Sequence, residues 1–534
     1  MCGVYKDGRI FESLDRLVTF NTRFGRHGSD TPYVYRGHAD ENWDLVPRLF
    51  RAQRDHPKRY QREFINNRMT SWQFMSDLLD ANVLPEARQW TYLQLLAVAQ
   101  HYPEYPGACG TELLDFSSSL KVAASFAFDH TQQHKVGVVY LLYPPEIKQF
   151  YLGVVERIEL PECCIRPNRQ KAVFLRQFDS SVNEPSMSIK YYFRQGDEWP
   201  ASLPYEFSQQ YLLTCPEDRI LRFAEEWSPH VSPRIDEADL RFLLAVEYGL
   251  LGLGTSLKTA AWRWLDDVQE ALFKLFRGRP DSARAILLAL DMGAVNDALR
   301  DSELVEDVEL LIELIKSLCM QLQGEGRAAE KAIQRMLLAS RAKERKALLF
   351  AHLGGLYGSR NDWEGALTAY RKALSLGPPD HVTVFNVAVT LKSMGRYREA
   401  LRELNRIVFE IDGEDALSWS ERANALNNLS QFRLAIDSAA RALELDPNGA
   451  SAWGHQGVAY MALQEAAKAV ECFRKMLEMR PDDDWALFNL TASLHYNGEE
   501  SACRDAFRRL RAISPQYPKL GALSELIGVD CMEA

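Results

Sequence analysis

Leu113-Leu114-Asp115-Phe116-Ser117-Ser118-Ser119 runs straight into a helical-looking stretch over residues 120–128. Upstream, the apolar run Tyr33-Val34-Tyr35 ends in Arg36-Gly37. The first string reads as a strand passing through a serine cluster into a helix, and the second as a strand that ends on an arginine. An arginine grips phosphate through bidentate, charge-assisted hydrogen bonds. Hydroxyls and free amides at a helix start suit ribose or phosphate. Together the two strings can hold a dinucleotide, and they mark the N-terminal part as a candidate site on an α+β framework.

The surrounding sequence has the same character. Residues 136–143, 171–175 and 189–193 read as strands, and residues 90–100 and 120–128 as helices, so residues 30–215 are α+β. At 534 residues the chain is too long for one core, and about two to four domains are expected. Apolar residues at 46% and charged residues at 25% are those of an ordinary globular protein. The net charge of −10 argues against a surface generally coated in nucleic acid, though not against a local basic patch. Nine cysteines, none in a Cys-x-x-Cys pair, predict reduced thiols and no zinc or other metal site. The first 17 residues carry Lys6, Asp7, Arg9, Glu12, Asp15 and Arg16, which is no secretory signal. The apolar stretch 242–253 contains Glu247 and is too short to span a bilayer. These features predict a cytoplasmic protein with no membrane partner.

The C-terminal third repeats itself. Gly354, Ala388, Ala423, Gly457 and Thr491 are spaced 34, 35, 34 and 34 residues apart. Tyr357, Leu391, Leu426, Tyr460 and Leu494 follow three residues later, and Ala366, Ala400, Ala435, Ala469 and Cys503 twelve residues later. Pro378, Pro447, Pro481 and Pro515 close four of the five units. Small residues let paired helices approach, and large ones fill the space around them. The pattern resembles the tetratricopeptide repeat, a helix–turn–helix unit of about 34 residues that stacks into a superhelix. By that resemblance Asn424, Asn427, Asn428, Phe385, Lys392, Trp485, Phe488, His495 and Tyr496 face the concave groove. There asparagines can bond a peptide backbone and aromatics can hold apolar anchors. A protein or peptide partner, or the protein's own N-terminal domain or tail, would occupy the groove.

Between these regions, residues 240–251, 260–276, 283–290 and 305–322 have helical apolar spacing without a 34-residue period. Arg277-Gly278-Arg279-Pro280 reads as a turn between two of these helices; its two arginines also suit a weak phosphate contact, for which one glycine between them is poor evidence. The expected organisation is an N-terminal domain over 1–230, a helical connector or degenerate repeats over 231–345, five repeats over 346–520 and a tail over 521–534.

Several N-terminal motifs resemble the FRG domain. Tyr35-Arg36-Gly37 with Trp43, Leu45, Pro47 and Arg51 resembles its arginine–glycine motif, and Gln100-His101-Tyr102 its Gln-His-Tyr. Thr111, Leu114, Asp115 and Ser117 resemble its Thr-x-Leu-Leu-Asp-x-Thr/Ser, and Arg169-Gln170 ahead of Ala172 and Phe174 its later Arg-Gln-x-Gly-x-Phe. The chain departs from the family in a longer loop over 103–110 and in Glu112, where an arginine is usual. A looser resemblance, to the arginine–serine–glutamate class of ADP-ribosyltransferases, implies an ADP-ribosyltransferase-like fold and NAD as co-substrate. It gives Arg36 the phosphate–ribose role and Ser117, Ser118 and Ser119 the nicotinamide pocket. The strand 170–174 aligns with the glutamate-bearing strand but offers Gln170 and then Ala172. A glutamine cannot stabilise developing positive charge as a carboxylate does. Asp115, Glu112 or Glu162 then supplies the carboxylate, or the reaction differs, or there is none.

Each residue carries a second reading. Arg36 and Asp115 also suit a buried structural ion pair. Ser117–Ser119 suit a helix cap. His101 suits either a general base or a satisfied core histidine, and Cys109 a thiol partner for it. Arg48, Arg51, Arg54, Lys58, Arg59 and Arg62 suit a nucleic-acid or pyrophosphate contact, or a solvated helix face. Two functions follow. One is an NAD-dependent ADP-ribosyltransferase acting on protein or nucleic acid, with NAD hydrolysis as a variant and toxin or anti-phage defence as a setting by family analogy. The other is a non-enzymatic nucleotide- or RNA-binding adaptor scaffolded by the repeats.

Overall fold

A computed structural model describes residues 2–5, 8–24, 33–42, 60–102, 111, 113–129, 131, 135–142, 158–176, 189–227, 237–254, 262–290, 293, 305–377 and 380–528. The chain forms two compact units, Met1–Gly324 and Glu325–Ala534.

The first unit contains a seven-stranded sheet in the order β1-β2-β7-β5-β3-β4-β6. The strands are β1 (Cys2–Tyr5), β2 (Gly8–Phe11), β3 (Val34–His38), β4 (Leu113–Ser117), β5 (Val136–Leu142), β6 (Ala172–Arg176) and β7 (Ile189–Arg194). Only β2 and β7 run parallel, and every other neighbouring pair is antiparallel. Side chains alternate between the two faces of a strand. One face buries Tyr35, Val139, Leu141 and Phe193 against helices Leu14–Phe24 and Leu120–Ala127. The other collects Val34, Leu114, Phe116, Val138, Tyr140 and Val173. The expected strands over 136–143 and 189–193 are present as β5 and β7, and β1 and β2 are additional. The strand expected from residue 171 begins at Ala172.

Helices pack beside the sheet within the same unit. Tyr60–Asp80 buries Phe64, Trp72, Phe74 and Met75. Trp72 Nε1 donates to Tyr92 Oη at 3.1 Å, and its ring packs on Phe273 and Phe276 of helix Trp262–Phe276. Arg68 and Glu247, both fully buried, pair at 2.8 Å. The helices expected over 240–251, 260–276, 283–290 and 305–322 are Glu237–Gly254, Trp262–Phe276, Pro280–Ala289 and Val305–Leu322. Among the described residues no helix is long and apolar enough to cross a membrane.

The second unit is a tetratricopeptide-like array. After Gly326–Ala339, its five pairs are Lys343–Gly358 with Trp363–Leu376, His381–Ser393 with Tyr397–Arg406, Ala416–Asn428 with Phe432–Leu445, Ala450–Ala462 with Ala466–Met479, and Asp484–Tyr496 with Glu500–Ile513. Asp362, Asp380, Asp415 and Asp483 cap four helices by accepting from main-chain N–H groups. The small residues of the repeat are where the helices touch. A Cβ on Gly354 would lie 2.7 Å from the Tyr370 ring, and one on Gly457 2.8 Å from Phe473. Ala366, Ala400, Ala435 and Ala469 are fully buried.

Candidate functional site

The site is built where β3 and β4 part. β3 pairs with β5 along its whole length and β4 with β6 along its whole length, but β3 meets β4 at Tyr35↔Ser117. Beyond that contact Arg36 bridges the two strands with its side chain. Its Nη1 donates to the main-chain carbonyl of Asp115 and, at 2.8 Å, to Asp115 Oδ1. Its Nε donates to His38 Nε2 at 3.0 Å. His38 was not singled out from sequence. The signal was available, since strand residues two apart share a face.

Two further side chains arrive from helix Tyr92–His101. Its start is fixed by a capping box, Thr91 with Gln94. Leu95, Leu96, Ala97, Val98 and Ala99 bury its apolar side, so its last turn faces β4. Thr111 Oγ1 donates to Gln100 Oε1, which turns the amide nitrogen of Gln100 to Asp115 Oδ1 at 3.5 Å. His101 Nδ1 stands 4.0 Å from Asp115 Oδ2, and its ring packs edge-on to Phe174. Tyr102 turns the other way and donates to Asp218 Oδ2 at 2.6 Å. Asp218 also caps helix Arg219–Glu226 and accepts from the main-chain N–H of Arg166. In the Gln-His-Tyr triplet, then, Gln100 and His101 serve Asp115 while Tyr102 serves the scaffold.

The electrostatics separate the two titratable groups. His101 has 4% of its side chain exposed. Burial pushes its pKa down to about 4, against the pull of Asp115, so it is neutral at pH 7. Asp115 keeps a third of its side chain exposed. Burial opposes its ionisation, yet Arg36 and His101 hold its carboxyl well below the usual carboxylate range. The result is an ionised carboxylate beside an uncharged imidazole.

The serines divide as well. Ser117 is buried; its Oγ donates to the Gln170 carbonyl at 2.7 Å and accepts from Ser119 N at 3.0 Å. Ser118 is exposed, with a long bond of 3.4 Å to the Lys171 carbonyl. Ser119 precedes helix Leu120–Ala127 but makes no side-chain cap; the Ser117 hydroxyl, two residues earlier, holds the Ser119 N–H ahead of the helix rather than a helical amide. Gln170, expected at the head of a strand, instead ends the short helix Ile165–Arg169 and donates from Nε2 to the Leu212 carbonyl at 3.3 Å. It is buried and meets Ser117 through its main chain, not through a side chain free for a ribose. Ala172 lies opposite Ser117 on β6. Glu162 is exposed. Arg51, Cys109, Glu112 and the basic residues Arg48, Arg54, Lys58 and Arg59 lie outside the described residues, as does the side chain of Arg62.

In the repeat array, several groove residues are engaged from one unit to the next. Lys392 pairs with Glu421, and Asn427 Nδ2 donates to the His455 carbonyl at 2.8 Å. Asn428 Nδ2 donates to Asn424 Oδ1 at 2.9 Å. Phe385, expected in the groove, is 4% exposed and lies in the core with Val384 and Ala388. Phe488 packs on Tyr517, while Tyr496 is 62% exposed.

These residues can be set against known proteins. Residues 31–136 match the FRG domain. That span holds Arg36, His101, Asp115 and the three serines. Residues 450–483 match the tetratricopeptide repeat. Human protein O-mannosyl-transferase TMTC1 is 26% identical over 197 residues, 36% of this chain and 22% of that protein. Human DnaJ homolog subfamily C member 7 is 31% identical over 116 residues, 22% of this chain and 23% of that protein. The chain thus spans about a fifth of the length of these curated relatives. Among solved structures, the chain is similar to YrrB, described as a TPR protein with an unusual peptide-binding site, at 22% identity and a TM-score of 0.30, over 37% of this chain and 97% of that one. It is also similar to PilW, a type IV pilus biogenesis factor, at 16% identity and a TM-score of 0.37, over 42% of this chain and 99% of that one.

Proposed function

We propose that the FRG domain transfers ADP-ribose from NAD to a macromolecule, protein or nucleic acid, and that the repeat array brings in a protein partner. What carries this reading is the convergence of Arg36, Gln100 and His101 on one half-buried carboxylate, Asp115. A structural ion pair needs only the arginine and the aspartate. Gln100 and His101 add two further groups that bear on the same carboxylate.

Some polar groups of this cluster are uncommitted. Among the described residues Arg36 Nη2 has no hydrogen-bond partner, while Nε and Nη1 are committed to His38 and Asp115. Ser118 and Ser119 keep hydroxyls that no short bond consumes. Arg36 Nη2 and these hydroxyls would hold a phosphate and a ribose. In the reaction the nicotinamide–ribose bond breaks, nicotinamide keeps the bonding electrons, and the acceptor atom bonds to the ribose carbon as it gives up its proton. Asp115 stabilises the positive charge that develops on the ribose. His101 Nε2 is buried, so the acceptor's proton leaves to solvent, while His101 Nδ1 stays 4.0 Å from the Asp115 carboxylate. Asp115 thereby does the work that Ala172 on β6 cannot.

The adaptor reading has its own support, because Arg36 is already neutralised by Asp115. Purified full-length protein incubated with labelled NAD and cell lysate decides between them. Label on protein or nucleic acid, lost in Arg36→Ala and Asp115→Asn, is the expected result. Nicotinamide release without labelled macromolecule indicates a hydrolase. NAD left intact with every lysate fraction sinks the enzyme reading and leaves the adaptor.

A further inference from the structure

A second polar site lies in the first unit, lined by none of the residues around Asp115. A cavity of about 190 Å³ is bounded by Leu79, Asp80, Ala87, Arg88, Trp90, Leu95, Lys274, Arg277 and Arg279. Four of these side chains are cationic and one is anionic. The turn Arg277-Gly278-Arg279 gathers three of the cations. Gly278 adopts a left-handed conformation at φ 67°, and Arg279 N bonds back to the Lys274 carbonyl at 2.8 Å. That ends helix Trp262–Phe276 with Lys274, Arg277 and Arg279 around one opening.

Among the described residues, two of the four cations are paired with acidic neighbours and two are not. The Arg277 side chain is 7% exposed and fixed from three sides: Nη2 to Asp80 Oδ1 at 2.7 Å, Nε to Ser76 Oγ at 3.3 Å, and the guanidinium over the Phe273 ring. This contact neutralises the one acidic lining residue. Lys274 has Glu270 at 3.8 Å. Arg88 and Arg279 are exposed and have no ion-pair partner among the described residues. These two cations, Arg88 and Arg279, therefore flank a concave space, with Lys274 beside Glu270 at its edge and Arg277 locked in its wall.

We infer that this cavity is a binding site for the phosphoryl group of a small anion. Guanidinium groups match phosphate oxygens in geometry and charge, and the exposed Arg88 and Arg279 supply two of them at the rim. The volume is below the roughly 300–1,000 Å³ of pockets that enclose whole drug-sized ligands. It suits inorganic phosphate, or the phosphate end of a larger molecule whose remainder lies outside, against Trp90. The site also touches the FRG machinery by a short route. Leu95 in its wall and His101 beside Asp115 belong to one helix, six residues or roughly 9 Å apart.

Calorimetric titration of the full-length protein with inorganic phosphate, pyrophosphate and AMP, at matched ionic strength, tests the inference. Arg88→Gln and Arg279→Gln change exposed side chains, and circular dichroism checks that the fold is kept. In an Arg36→Ala background, which removes the phosphate contact proposed above, saturable binding of at least one probe is expected, weakened about tenfold or more by Arg88→Gln and by Arg279→Gln. Binding of phosphate alone, or tighter binding of AMP, distinguishes a free-anion site from a nucleotide's phosphate end. No saturable binding of any probe up to ~10 mM overturns the inference. So does binding in the Arg36→Ala background that survives the added Arg88→Gln/Arg279→Gln double substitution.

Discussion

Gly37 lies directly beneath the main-chain carbonyl of Ala123: a Cβ at position 37 would stand 1.8 Å from that oxygen and 2.8 Å from the Ala127 Cβ. The glycine after Arg36 is what allows helix Leu120–Ala127, and the serine turn before it, to close over the arginine's strand. The obstacle is backbone and cannot swing aside. Gly37→Ala is therefore expected to cost about 2 kcal/mol or more, read as a lowered urea midpoint. Gly196→Ala is a control in the same unit, since no atom lies within 4 Å of its Cβ position, and a change within about 0.5 kcal/mol is expected. Equal effects at the two positions would refute the close approach.

Acid weakens each unit through a buried histidine. Burial pushes His101 down to about 4, and His352, 5% exposed in the second unit, down to about 3, from an ordinary 6.5. In both cases the unfolded chain takes up the proton first, so stability falls as pH drops from 6.5 towards the folded value. Each histidine contributes up to about 1.4 kcal/mol per pH unit in that window, and nothing above it. Asp115 acts lower still: its stabilisation by Arg36 is present above the ordinary carboxylate range and is lost as the pH falls below it. Urea midpoints measured from pH 7 to 4 should decline for both units, and His352→Gln should flatten the decline of the second. A pH-independent midpoint across this range would contradict the burial of both side chains.

The repeat array was legible because one constraint recurs. Each helix pair must touch at a small residue, so Gly354, Ala388, Ala423, Gly457 and Thr491 print the period directly. The FRG segment was legible as motifs but not as geometry. Asp115, Arg36 and His101 stand at motif positions, yet their convergence depends on β3 and β4 parting after Tyr35↔Ser117, which no local pattern encodes. Strands β1 and β2 have four residues each, too few for alternation to show. Gln170 was misplaced for a related reason. Its apolar successors spell a strand, but Lys171 at φ 48° breaks the extended chain between Gln170 and Ala172. Phe385 carried an ambiguous signal, since an aromatic at that position fills the core as readily as a groove.

Two residues expected to line the groove separate stability from recognition. Asn427 holds its repeat to the next through the His455 carbonyl, 28 residues on, whereas Tyr496 is largely exposed. Asn427→Ala should destabilise the array by about 1 kcal/mol, measured by thermal or urea unfolding. Tyr496→Ala should leave stability unchanged, and any loss of partner affinity in that variant then reports contact rather than unfolding. A stability loss in Tyr496→Ala equal to that in Asn427→Ala would show that both belong to the scaffold.

The turn inside every helix pair holds one residue in the left-handed region: Asn361 at φ 60°, Gly395 at 74°, Ser430 at 58°, Gln464 at 64° and Gly498 at 79°. The spacing repeats the sequence period, so the backbone demands the same conformation five times while the sequence supplies glycine only twice. A side chain in this region costs about 1–2 kcal/mol, and glycine's extra freedom in the unfolded chain returns roughly 0.5–1 kcal/mol of the gain. Ser430→Gly and Gln464→Gly should therefore each stabilise the array by about 0.5–1 kcal/mol. Gly395→Ala and Gly498→Ala should cost a similar amount. No atom lies within 4 Å of either Cβ position, so a loss at these two sites cannot come from a clash and must come from the backbone. Chemical denaturation of the four variants checks both directions at once. Neutral Gly498→Ala together with neutral Gln464→Gly would mean that the turn relaxes to an extended conformation, and the fivefold backbone repeat would then not be what sets the stacking of the helices.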